Sequence, residues 1–129
     1  MTPKPDNLDA QRRVIAVKTV ELRPDDRYGA PTPGFTWAPL DFDKARGEGL
    51  FLLRFAPGAR SVPHEHTHGE SFLVLEGELH DSDGKIFRAG DFVRYAPGSE
   101  HWSVAPEGCL IAVFLRGYNR RLATGESKS

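Results

Sequence analysis

The sequence is poor in sulfur, with one cysteine, Cys109, and one methionine among 129 residues. A lone cysteine forms no intrachain disulfide, which fits a reducing compartment. Long apolar runs are also missing. The longest spans residues 109–115, far short of the ~20 needed to cross a bilayer, so no membrane partner is expected. The first residues are polar and contain proline, and the apolar run at 14–17 is too short for a signal-peptide core, so the expected location is cytoplasmic. No sign of charge dominates: 17 Lys plus Arg stand against 18 Asp plus Glu. The signs are interspersed and supply no basic field, so nucleic acid is not an expected partner. The one basic cluster, Arg116, Arg120 and Arg121, reads as a solvated tail.

Stretches free of chain breakers are lacking as well. The 13 Gly and 10 Pro are scattered from Pro3 to Gly125, which excludes a helix bundle. What is present instead is a succession of short β-prone segments between turn dipeptides such as Pro57-Gly58, Asp83-Gly84 and Pro97-Gly98. Strands are expected at residues 14–20, 35–40, 50–56, 60–66, 70–75, 78–81, 85–88, 92–95, 101–105 and 109–116. The length implies one all-β domain, a small antiparallel barrel or sandwich, over residues 14–118. A flexible arm at 1–13 precedes it and a tail at 119–129 follows.

Four of the five histidines fall in His64-Glu65-His66-Thr67-His68 and at His101. Residues two apart on a strand project from one face, so His64 and His66 present two imidazoles to one side. Glu70 adds a carboxylate just past the loop, and His101 on a partner strand completes three nitrogens and one oxygen. Such a mixed set suits one divalent transition metal, Fe(II), Mn(II), Ni(II) or Zn(II), with coordination positions left open. His68 shares parity with His66 and is the alternative to Glu70 as ligand, or a partner to a ligand, although Gly69 signals a break there. His80 is expected outward and Cys109 inside as a small hydrophobe. Arg54 is expected outward, because an unpaired inward arginine is costly. Phe35, Trp37, Phe51, Phe55, Phe72 and Trp102 read as core.

Gly58, His64-x-His66, Glu70 and Gly77 match the first cupin motif at every defined position, and Gly90-Asp91 with Pro97-Gly98-x-x-His101 resembles the second. The second departs from the pattern in its adjacent proline and glycine and in Ala105, where asparagine is usual. The resemblance implies a double-stranded β-helix, the cupin or jelly-roll barrel, with the metal inside and Fe(II) favoured. Residues 52–59, 72–77, Pro97-Gly98-Ser99 and Glu107-Gly108-Cys109 are similar to the ChrR-type cupin domain and its stand-alone relatives, the acetylacetone and dihydroxyacetophenone dioxygenase-like proteins. ChrR-type anti-sigma factors carry a zinc-binding helical domain before the cupin, so an anti-sigma role is not expected here. The likeness implies a dioxygenase cleaving a small diketone or hydroxyketone. The alternatives are a non-catalytic metal- or ligand-binding module, and a cupin sugar isomerase or epimerase with Tyr95 as candidate proton-transfer residue. Related cupins associate through sheet edges, so a homodimer is expected, with residues 14–20 as the contributing strand.

Overall fold

The computed structural model describes residues 6–122; the rest of the expected arm and tail, residues 1–5 and 123–129, lies outside the described residues. Nearly everything described is strand, turn or loop. A five-residue helix, α1 (Asp6–Ala10), precedes β1 (Arg23–Pro24), β2 (Phe35–Asp43), β3 (Glu48–Phe55), β4 (Ala59–Arg60), β5 (His64–Glu65) and β6 (Glu70–Asp81). Then come β7 (Ile86–Arg88), β8 (Phe92–Tyr95), β9 (Glu100–His101), β10 (Ser103–Ala105), β11 (Cys109–Arg116) and β12 (Arg120–Arg121). All pairings are antiparallel. The main path runs β1-β2-β3-β11-β6-β10-β4, with β7 and β8 also on β6, and β12-β5-β9 forms a second, small sheet. The curled sheet is the expected all-β cupin barrel.

Alternation explains which face closes on itself. In β11, Ile111, Val113 and Leu115 are buried while Phe114 and Arg116 are exposed; in β3, Phe51, Leu53 and Phe55 turn inward. Cys109 is buried as expected, and burial pushes its thiol up to about 12. On the outer face a smaller patch of Ala38, Leu52 and Leu110 is covered by Val20 and Leu22.

β6 is the element that builds the site. Expected as two strands broken at Gly77, it is one strand of 12 residues. Glu70 and Asp81 are an odd number of residues apart and by strict alternation would face opposite sides. A bulge resolves this: Leu110 pairs with Glu76 and Ile111 with Val74, so Leu75 is the extra residue and the parity switches. The strand then passes from its β11 and β8 pairings to those with β7 and β10. Its curl brings both ends onto one cluster of histidines.

Other expectations are corrected. Residues 14–20 form no strand; the chain there is turn and coil, since only backbone pairing makes a strand and no partner lies alongside. The expected strand at 60–66 is split between β4 and β5, which pair in different sheets. Trp102 is half-buried outside the core, with the Arg60 guanidinium 3.7 Å over its ring. Arg120 and Arg121, read as tail, pair with Glu65 and His64 as β12. Arg54 is outward as expected, beside Glu76 at 3.2 Å.

Candidate metal centre

β5 and β9 place His64 directly opposite His101, and His66 follows one residue beyond the end of β5. The three rings pack edge to face or tilted with centroids 4.6–4.9 Å apart. One donor atom from each lies within 4.8 Å of the others. Glu70, at the start of β6, sets Oε1 3.7 Å from His66 Nε2.

Each ring's other nitrogen reveals its tautomer. His64 Nδ1 is 2.7 Å from the Val62 carbonyl, which only accepts, so Nδ1 carries the proton. His101 Nδ1 donates to Asp81 Oδ1 at 2.5 Å. Ser99 Oγ donates to the Ala96 carbonyl at 2.7 Å and so accepts from His66 Nδ1 at 2.9 Å. With Nδ1 protonated, the neutral rings of His64 and His66 each present an Nε2 lone pair. His66 Nε2 is buried with no hydrogen-bond partner, and the Nε2 atoms of His64 and His101 stand 3.1 Å apart. At that distance a proton on His101 Nε2 or a shared metal ion bridges the two nitrogens. With metal–nitrogen bonds of about 2.0–2.1 Å, ligand nitrogens stand ~3.0–3.4 Å apart, so the donor set fits a transition metal.

Electrostatics agrees. Burial lowers His64 to about 4, and burial with the neighbouring histidines lowers His66 to about 3, so both stay neutral and able to ligate. Burial raises the Glu70 carboxyl, against the lowering effect of Asn119 Nδ2, which donates to Oε1 at 2.9 Å. Burial also works to raise Asp81, but hydrogen bonds donated by His101 and by Tyr95 Oη, at 2.7 Å, outweigh it and the carboxyl lies below its ordinary value.

Of the other sequence candidates, His68 and His80 lie outside the cluster and Tyr95 packs against it. His68 is exposed and bonded to Thr67 at 3.0 Å. His80 is half-buried beside Glu78. Tyr95 stacks on His66 at 4.5 Å, and its hydroxyl is committed to Asp81. Sequence reasoning missed Asp81, Ser99 and Asn119. It also missed Arg27, whose Nε and Nη2 each donate to buried Asp25 at 2.8 Å. A cavity of about 80 Å³ opens beside the histidines; His64, His101, Glu70, Asn119 and Arg27 line its polar side and Phe51 and Ile111 lie on its apolar side.

Comparison with known proteins gives one family match: a family model described as ChrR Cupin-like domain covers residues 12–119. No curated protein matches the chain. Among solved structures, an RmlC-like cupin protein from Ralstonia eutropha JMP134 is 17% identical with a TM-score of 0.73, covering 89% of this chain and 74% of that one. An acetylacetone dioxygenase from Acinetobacter johnsonii is 16% identical, TM-score 0.66, covering 92% and 87%. The complex of Rhodobacter sphaeroides SigE with the anti-sigma ChrR matches at 27% identity, TM-score 0.60, covering 86% of this chain and 56% of that one.

Proposed function

The chain belongs to the ChrR cupin-like domain family, and on that premise we propose that it is a mononuclear metal dioxygenase cleaving a small diketone or hydroxyketone. His64, His66, His101 and Glu70 hold one divalent transition metal, Fe(II) favoured over Zn, Mn or Ni. The observation that carries this reading is the convergence of three imidazole donor atoms, with His66 Nε2 buried without a partner. A bound ion supplies Lewis acidity to adjacent oxygens of a ligand and a site for oxygen chemistry. The protein's own residues do the rest. Val62, Ser99 and Asp81 each hold one imidazole in the ligating tautomer. Tyr95 Oη steadies Asp81, and Phe51 and Ile111 give the cavity an apolar side that excludes water.

The test is metal analysis of protein purified without a His-tag, followed by an oxygen-electrode screen of small diketones and hydroxyketones. Bound metal with oxygen uptake supports the proposal; bound metal with no uptake favours the second reading, a metal- or ligand-binding module without turnover. The likeness to the ChrR complex supports that second reading. An isomerase or epimerase finds less support, because the Tyr95 proton is held on Asp81. A cytoplasmic homodimer remains part of the proposal, but not through residues 14–20, which form no strand. What supports a second copy is the outer sheet face, where Leu73 and Phe92 are cross-strand neighbours, as are Leu50 and Phe114, and all four are exposed.

A further inference from the structure

At one wall of the cavity two arginines approach the Tyr28 ring. The Arg27 guanidinium lies 5.3 Å from its centroid and the Arg121 guanidinium 4.7 Å, and both side chains line the cavity. They come from opposite ends of the chain. Arg27 sits in the loop between β1 and β2, and Arg121 on β12, where its Nη2 donates to Thr32 Oγ1 at 3.1 Å. Their neutralisation is unequal. Arg27 commits Nε and Nη2 to Asp25, whereas the hydrogen bond of Arg121 goes to a neutral hydroxyl. Of the two guanidinium groups on this ring, Arg27 is ion-paired with Asp25, whereas no carboxylate pairs with Arg121 among the described residues.

Glu70, held by Asn119 beside the histidines, lines the same cavity. Over the whole lining, Arg27 and Arg121 balance Asp25 and Glu70, and a divalent ion leaves a net positive charge of two. The lining thus offers imidazole nitrogens and guanidinium donors to one small cavity. Planar guanidinium groups are suited to carboxylates.

We infer that the site selects an anionic ligand, a small diketone or hydroxyketone that carries a carboxylate, which meets Arg27 and Arg121 while its other oxygens face the histidines. This rests on the proposed function and narrows its substrate class. Uncharged diketones and hydroxyketones would fill the cavity but leave the two arginines unmatched.

The test uses lactate and acetoin, which differ in a carboxylate replaced by an acetyl group. Calorimetry measures both on zinc-loaded and metal-stripped protein, wild type and Arg121→Gln. The exposed position of Arg121 lets the variant fold, which its melting curve checks. The expected result is a preference for lactate of about tenfold in the zinc-loaded wild type. Arg121→Gln should weaken lactate at least threefold in both loaded and stripped protein and leave acetoin unchanged. Arg27→Lys, which keeps the charge but loses the planar fork, should also weaken lactate. Equal affinity for the two probes, or lactate binding indifferent to Arg121→Gln, overturns the inference. If the protein binds no metal, the proposed metal centre fails, and the stripped arm alone still decides the arginine claim.

Discussion

In the proposed centre His64, His66 and His101 ligate through Nε2 because something else occupies each Nδ1, and these holders differ in strength. Val62 offers a neutral carbonyl and Ser99 a hydroxyl, but Asp81 offers a half-buried carboxylate held down by two donated hydrogen bonds. Asp81→Asn should therefore lower metal affinity about 10- to 100-fold in competition titrations with a chelator. His68→Ala, outside the cluster, should leave it unchanged. The same burial gives the metal-free protein a definite pH dependence. Both His64, near 4, and His66, near 3, lie below the ordinary 6.5, so the unfolded chain binds protons that the folded chain refuses. Stability falls as pH drops below about 6.5 and goes on falling until the folded state also protonates near 4 and 3. Thermal melts of stripped protein should show Tm several degrees lower at pH 4.5 than at pH 7, with a shallower slope in His66→Leu. A Tm flat across that range would mean the rings are not buried as described.

At the scale of elements, the site depends on how β6 bends. Gly77 has φ of +79°, and a Cβ there would meet the Gly108 carbonyl oxygen across the β6–β11 pairing. Gly77→Ala should destabilise the protein by about 3 kcal/mol or more in urea unfolding, against ~1 kcal/mol for Gly84→Ala, where φ is also positive but a Cβ meets only open space. The bend also explains what was legible in the sequence. His64, His66 and Glu70 lie within seven residues between framing glycines, and His101 follows its Pro97-Gly98 turn, so local pattern marks all four. Asp81 is 20 residues from His101, and Asn119 is 49 from Glu70; only the curl of β6 and the return of the chain after β11 bring them in. Nothing local separates Asp81 from Asp83 or Asp91. The error at 14–20 has the opposite cause: a β-prone run needs a neighbour to pair with, and here the chain instead sets Val20 and Leu22 on the outer patch.

For the molecule as a whole, the cluster joins β5, β6 and β9, so an ion bound there links the small sheet to the main one. A ligand that binds only the folded state stabilises it, by about 2.7 kcal/mol at a hundred times its Kd. Zn(II) at that level should raise Tm by roughly 10 °C, and EDTA should reverse the rise. Magnitudes of this kind depend on affinity, but the number of ions and the residues that hold them do not. The central claim is that three Nε2 lone pairs converge on one metal. Equilibrium dialysis of tag-free protein against Fe(II) without oxygen, read by elemental analysis beside His66→Ala and His101→Ala, tests it most directly. The account predicts one ion per chain in the wild type and almost none in either variant; a full complement in the variants, or none in the wild type, would contradict it.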